Sequence, residues 1–188
     1  MVKLTIPYFS FETDVDFLLT KQSILYNKIW LYSFYIHIGS SPFVLASGAI
    51  QFNNYFLKNH KALHRTVGKG YVALVLLISA PSGLIMAFYA NGGILAKSSF
   101  LIISILWWYF TWKSFIEIKQ KNISAHQAFM IRSYALTLSA ITLRIYTFTL
   151  PQFVHIRGME MYILVSWISW LPNLALAEWI IRRRKITQ

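Results

Sequence analysis

The sequence predicts an all-α membrane protein: a polytopic bundle of five transmembrane helices, with four helices in its core and a fifth alongside. Composition is the first observation, because 56% of the 188 residues are hydrophobic and only 13% are charged, about half the charged share of a soluble domain. The second is that apolar stretches long enough to cross a bilayer recur along the chain. The absence of cysteine limits the chemistry rather than the fold, because it excludes disulfides, thiolate metal sites and a cysteine nucleophile.

The N-terminal residues 1–28 are predicted to form a tail that precedes a single transmembrane domain of residues 29–188. The tail is mixed in character, and a short interfacial helix is expected within residues 17–25. Its charge is concentrated in three acidic residues: Glu12, Asp14 and Asp16. We therefore expect this segment to lie outside the membrane.

Five spans follow in the transmembrane domain, at residues 29–53, 67–89, 99–118, 124–151 and 161–181. Basic loops separate the first from the second and the third from the fourth. The second span contains Pro81 and Gly83, which predict a kink near its far end. The third span is rich in tryptophan and tyrosine, which is typical of packing and of membrane interfaces.

Basic residues predict the orientation of these spans. Twelve lysines and arginines fall on one side: Lys58, Lys61, Arg65, Lys69, Lys113, Lys119, Lys121, Arg132, Arg182, Arg183, Arg184 and Lys185. Five fall on the other: Lys3, Lys21, Lys28, Lys97 and Arg157. The richer side is expected to be cytoplasmic, which puts the N-terminus outside and the C-terminus inside. The net charge of +12 then reflects topology and anionic lipid, and no nucleic-acid partner is expected.

The fourth span carries two ionisable residues on one helical face. His126 and Arg144 are 18 residues apart, which is about five turns, so both lie on one face roughly 27 Å apart along the axis. Ser133, Thr137 and Ala140 share this face and are small or weakly polar. Ionisable groups within a bilayer almost always face protein or water. We therefore expect this face to contact other helices.

Two histidines are predicted to enter the membrane at the same level on two parallel spans. His64 precedes the second span and His126 begins the fourth. Two neutral imidazoles on parallel helices suit the axial ligands of a b-type haem iron. Arg65 and Arg132 lie near the same level, where guanidinium groups could bind the haem propionates. Gly68, one turn beyond His64, would let the macrocycle approach closely.

Simpler interpretations stand beside this one. Histidines at a membrane interface often cap a helix or meet lipid phosphate, and this applies to His64 and His126. His37 is either a hydrogen-bonded interior residue or part of an outer polar site with Arg144. Arg144 in turn is either an anchor that extends to the headgroups or a contact for an anion or a quinone carbonyl. Glu178 is expected to form an ion pair with one of three cations: Arg65, Arg132 or Lys69.

The sequence resembles the bacterial predicted membrane proteins grouped as domain of unknown function 2306. The matching segments are FLLTKQ (17–22), IWLYSFYIHI (29–38), IQF (50–52), LHRTVGKGYV (63–72), SAPSGLIMAFYANGG (79–93), HQAFMIRSYALTLSAITLRIY (126–146) and SWISWLPNLALAEWII (166–181). The resemblance implies a multi-span protein of the bacterial inner membrane, and it names no reaction. It places eight residues at motif positions: His37, His64, Arg65, His126, Arg132, Arg144, Asn173 and Glu178.

The chain is more distantly similar to b-type cytochromes and ferric-reductase-like membrane bundles. Those proteins hold ligand pairs on alternate helices, whereas the third span here has no histidine to pair with His37. We therefore expect one haem b at most, serving electron transfer or exchange with a quinone. An accessory subunit of a larger membrane complex and a transporter that uses Arg144 remain as alternatives. Whether the chain is an enzyme is left open.

Overall fold

The computed structural model describes residues 6–156 and 158–186, without the side chains of Asn54, Lys185 and Ile186. The described residues are largely helical and contain no strand. Five helical stretches are long and apolar enough to cross a membrane: Lys28–Gln51, Lys61–Phe88, Gly93–Lys119, Ile123–Phe153 and Met159–Arg184. The predicted fold class and the number of spans are thus confirmed.

Eight α-helices make up these stretches and their connection: α1 Lys28–Gln51, α2 Asn54–Asn59, α3 Lys61–Leu74, α4 Ala80–Phe88, α5 Gly93–Lys119, α6 Ile123–Phe153, α7 Met159–Ile168 and α8 Leu171–Ile186. A π-helical turn, Val75–Ser79, joins α3 to α4. The second span begins at Lys61 rather than at residue 67, so His64 lies in the first turn of a helix and not in a loop. Short polar caps, such as Asn122 before α6, set the helix starts.

The chain divides into two compact units, one ending at Tyr89 and the other starting at Ala90. The first unit contains α1 to α4 and the second contains α5 to α8. The arrangement of four core helices and a fifth in one domain concerns how these units assemble, and it stays a prediction. Three of the basic residues used for the orientation, Lys3, Arg157 and the side chain of Lys185, lie outside the described part of the chain.

The N-terminal segment is packed on the first span. It forms two 3₁₀-helices, Ile6–Ser10 and Asp16–Ile24. Tyr8 and Leu18 from these helices form a buried cluster with Trp30 and Phe34 of α1. The burial of large aromatic and aliphatic side chains holds the segment in place, while its three acidic residues stay exposed.

Polar contacts fasten the same segment to the end of the second span. Lys21 is buried, and its Nζ donates to the carbonyl of Tyr89 at 2.5 Å. Asn27 Nδ2 donates to the Tyr89 hydroxyl at 2.9 Å. The Asn27 side chain also accepts from the amides of Ile29 and Trp30, which caps the N-terminus of α1. The first unit therefore includes the segment that the sequence predicts as a tail.

The second span is irregular one turn before the predicted kink. The amide of Ala80 donates to the carbonyl of Val75, five residues earlier, which closes the π turn. Pro81 follows directly and has no amide hydrogen to continue the ladder. Such turns occur mostly as single interruptions of α-helices and often at functional sites.

In the second unit, α5 and α6 pack along the small polar face predicted for the fourth span. Ser133 and Thr137 are buried on this face. Three side-chain contacts follow one another along the interface: Ser114 Oγ to Met130 Sδ at 3.2 Å, Thr111 Oγ1 to Ser133 Oγ at 2.7 Å, and Trp107 Nε1 to Thr137 Oγ1 at 3.0 Å. Small residues allow such close approach of membrane helices, so this part of the prediction is confirmed.

The fifth span is broken, which the sequence did not predict. Helix α7 ends at Ile168 and α8 starts at Leu171, just before Pro172. The break exposes backbone carbonyls, and neighbouring side chains satisfy them: Ser99 Oγ donates to Ser166 at 2.8 Å, Thr142 Oγ1 donates to Ser169, and Asn173 Nδ2 donates to Ser169 at 3.2 Å. Irregular backbone at membrane depth requires such internal partners.

Candidate functional site

His126 is held in one orientation at the start of α6. Its Nδ1 lies 2.8 Å from the carbonyl oxygen of Ser114 on α5. A carbonyl can only accept, so Nδ1 carries the hydrogen and the neutral ring presents Nε2 as its acceptor nitrogen. The backbone around the residue is fixed as well, because its amide donates to the carbonyl of Asn122, the cap residue of the helix. The Ser114 carbonyl therefore orients the ring, and the helix hydrogen bond holds the backbone that carries it.

His64 lies in the first turn of α3, beside the end of α1. Its carbonyl accepts a hydrogen bond from Gln51 Nε2 at 2.9 Å. The Gln51 side chain also covers Gly68, where an added Cβ would lie 3.0 Å from Oε1. The close approach that the structure shows at Gly68 is that of Gln51, and the approach of a macrocycle there stays a prediction. Arg65, next to His64, is exposed.

The histidines can be compared with what a haem requires. Among the described residues, no group of three or more His, Cys, Asp or Glu side chains could hold a metal ion. A haem needs fewer protein ligands, because the macrocycle itself supplies four nitrogens and the protein adds one or two axial groups. His126 fits such a role through its oriented ring. His64 and His126 belong to different units, and their pairing stays a prediction.

Arg132 on α6 forms an ion pair with Glu178 on α8. Arg132 Nε lies 2.5 Å from Glu178 Oε1, and Nη2 lies 2.9 Å from Oε2. The side chains are 19% and 37% exposed, and the guanidinium also lies over the rings of Phe110 and Phe129. Of the three cations considered for Glu178, Arg132 is thus a partner. A haem propionate at Arg132 would have to bind the guanidinium N–H groups that do not donate to Glu178.

His37 belongs to a second polar cluster, in the first unit. Its Nδ1 lies 2.8 Å from the carbonyl oxygen of Ser79 and 3.4 Å from Ser82 Oγ. Ser79 Oγ is 2.7 Å from Ser40 Oγ. All three serines are buried, and Ser79 ends the π turn. The cluster therefore joins the interior histidine to the irregular part of the second span.

The side chain of Arg144 forms a hydrogen bond within its own helix. Nη1 donates to the carbonyl of Ala140, four residues towards the N-terminus, at 3.1 Å. The nearer end of α6 is its C-terminus at Phe153, and Ala140 lies on the other side of Arg144 along the helix. The anchor interpretation and the contact for an anion or a quinone carbonyl both stay predictions. The predicted proximity of Arg144 to His37 concerns different units and stays a prediction.

Several groups in these clusters were not identified from the sequence. The carbonyls of Ser79 and Ser114 orient the two histidines, and a backbone carbonyl has no residue-specific sequence signal. Gln51 did have a signal, because it is an amide at the end of an apolar span, where it needs a hydrogen-bonding partner. The serine-rich run 40–47 of α1 indicated close packing but did not indicate which helix it meets.

The comparisons with known proteins agree with this architecture. A family model described as "Predicted membrane protein (DUF2306)" matches residues 34–181. The match covers His37, His64, Arg132, Arg144 and Glu178, together with all five spans in whole or in large part. Neither the curated proteins nor the solved structures gave a match. The chain is an integral membrane protein and belongs to the DUF2306 family of predicted membrane proteins.

Proposed function

We propose that this membrane protein holds a b-type haem and carries electrons, with His126 as an axial ligand. The observation that supports the proposal is the hydrogen bond from His126 Nδ1 to the Ser114 carbonyl. Imidazoles that bind metals almost always donate their other ring N–H to a carbonyl, a carboxylate or water, which fixes the tautomer and makes the ligating nitrogen more basic. His126 has this hydrogen-bond arrangement at Nδ1.

The other parts of the proposed haem site rest on the sequence argument. His64 is the proposed second axial ligand, because it is the other histidine that starts a span running in the same direction. Arg65 and Arg132 are the proposed partners of the propionates. When bound, a haem with two imidazole ligands supplies a one-electron redox centre. A quinone dissolved in the membrane is the proposed electron partner.

A visible absorption spectrum tests the proposal directly. The full-length protein, purified in mild detergent from cells supplied with a haem precursor, is expected to show a Soret band. Reduction with dithionite should sharpen the two bands in the visible region that identify a low-spin haem b. Pyridine extraction then gives the ratio of haem to protein. A colourless preparation would contradict the proposal, provided that other haem proteins made in the same cells contain their haem.

An accessory role in a larger membrane complex is the second candidate. The observation that favours it is the N-terminal segment, which is fixed on α1 and presents Glu12, Asp14 and Asp16 to solvent. A rigid acidic surface suits a basic partner. In this case the protein would be colourless and would purify with a second membrane protein, and substitution of the three acidic residues by their amides would release that protein.

We also propose that the protein lies in the bacterial inner membrane with its N-terminus outside and its C-terminus in the cytoplasm. Gln120 and His155 are exposed and lie beyond opposite ends of α6, which makes them suitable probes. Because the chain has no cysteine, a single introduced one can be followed. In intact cells, Gln120→Cys is expected to resist an impermeant maleimide and His155→Cys to react. The reverse labelling pattern would contradict this orientation.

A further inference from the structure

We propose that the first unit binds an anionic phospholipid through a basic surface at the start of its second span. This basic surface consists of Lys58 on α2 and of Lys61, Arg65 and Lys69 on α3. The three residues on α3 follow one another at intervals of four, which places them on one side of the helix. All four side chains are exposed. The proposal concerns the first unit alone and requires neither a haem nor an electron carrier.

The charge of the basic surface has no carboxylate partner in its own unit. The sequence contains no aspartate or glutamate between Asp16 and Glu117. The three acidic residues of the first unit lie in the N-terminal segment, which packs on the start of α1. The basic surface follows the opposite end of this helix, which has 24 residues and is about 35 Å long. Both ion pairs of the described residues belong to the second unit. Four positive charges therefore remain for an external anion to neutralise.

The length of the second span places the basic surface at the level of the lipid headgroups. The span runs from Lys61 to Phe88 and has 28 residues, which is about 42 Å of helix. A bilayer has a hydrocarbon core roughly 30 Å thick and measures about 40–45 Å with its headgroup regions. When the span is centred in the bilayer, the first turn of α3 lies among headgroups. Lys69 lies just inside the hydrocarbon, and a lysine side chain can extend from there to the headgroups.

This depth favours a lipid over a water-soluble partner. A soluble acidic protein or a free phosphate could reach Lys58 and Lys61, but a phosphate at the level of Lys69 has to belong to a molecule of the bilayer. The basic surface also has exposed apolar neighbours that can contact acyl chains: Tyr55, Leu57 and Leu63. A phospholipid with net negative charge supplies both the anion and the chains. The ammonium group of phosphatidylcholine would instead be repelled by the four cations.

Binding of dioleoyl phosphatidylglycerol to the full-length protein in mild detergent, counted by native mass spectrometry, tests the proposal. The informative variant combines Lys58→Gln, Lys61→Gln and Lys69→Gln. It leaves Arg65, the proposed propionate partner, unchanged. A basic residue near a membrane surface contributes about fivefold to the affinity for anionic lipid. Removal of three is therefore expected to weaken binding about tenfold to a hundredfold.

Three lysines outside the basic surface provide the matched control: Lys28, Lys97 and Lys113. Lys28 begins α1 at the end far from the basic surface, Lys97 lies near the start of α5, and Lys113 has a carboxylate partner at 3.7 Å. Their combined replacement by glutamine removes the same total charge and should leave the affinity for phosphatidylglycerol unchanged. Equal losses in the two triple variants would overturn the proposal, because binding would then follow net charge and not position.

A second measurement uses the wild type alone and does not depend on any variant. Phosphatidylcholine with the same acyl chains is expected to bind at least tenfold more weakly than phosphatidylglycerol, and the difference should shrink as salt is added. Equal affinities for the two lipids would overturn the proposal. So would an acidic protein that copurifies with the wild type and is lost from the Lys58, Lys61 and Lys69 variant while the two lipids bind equally, since the occupant would then be that protein.

Discussion

Replacement of His126 by asparagine is expected to abolish haem retention while leaving the second unit folded. The asparagine amide can still donate to the Ser114 carbonyl, which His126 Nδ1 approaches to 2.8 Å, so the contact between α5 and α6 is preserved. The ligating nitrogen, however, has no counterpart in asparagine. The purified variant should therefore show wild-type helicity and thermal melting but no Soret band.

Two controls make this result specific. His155 is exposed and lies outside the described helices, so His155→Asn should keep the full Soret absorbance. Ser114→Ala retains the backbone carbonyl that orients His126, so this variant should also keep the full Soret absorbance. If His126→Asn carried a wild-type complement of haem, His126 would be a packing residue of the helix interface and the haem proposal would lose its supporting observation.

The sequence predicted the parts of this fold that depend on composition and periodicity. Five spans follow from apolar length alone, because the bilayer fixes how long a helix must be. The face with Ser133 and Thr137 was identified because small polar residues in a membrane helix turn towards protein. The partner of Glu178 was restricted to three cations because a carboxylate at this depth needs one, and the structure pairs it with Arg132.

The irregular backbone was not predictable in the same way. Pro172 was visible in the fifth span, but a proline alone does not determine whether a membrane helix bends or breaks. Here Ser99 and Thr142, from two other helices, stabilise the break by donating hydrogen bonds to carbonyls that it exposes. Such long-range partners leave no local pattern. The position of the π turn before Pro81 likewise has no local sequence pattern that would predict it.

Loss of the carboxylate at position 178 is expected to destabilise the second unit. Arg132 and Glu178 link α6 to α8 beside an apolar contact formed by Ile131 and Ala177, among others. In Glu178→Gln the guanidinium loses its countercharge and keeps at most one of its two hydrogen bonds, because one carboxylate oxygen is replaced by an amide donor. Because the pair is partly exposed, we expect the free energy of unfolding to fall by roughly 1–3 kcal/mol. Breaking a fully buried pair would cost more, approximately 3–5 kcal/mol.

A double-mutant cycle separates this pair from its surroundings. Arg132→Gln should cost about as much as Glu178→Gln, and the double variant should cost clearly less than the sum, since neither partner is then left charged and alone. The ion pair of Lys113 and Glu117, one turn apart on α5 with a separation of 3.7 Å, provides the control. Glu117→Gln should change stability by less than about 0.5 kcal/mol, as is usual for such pairs within a helix. Unfolding by sodium dodecyl sulfate in mixed micelles measures all four variants, and strict additivity of the two glutamine substitutions would show that Arg132 and Glu178 do not stabilise each other.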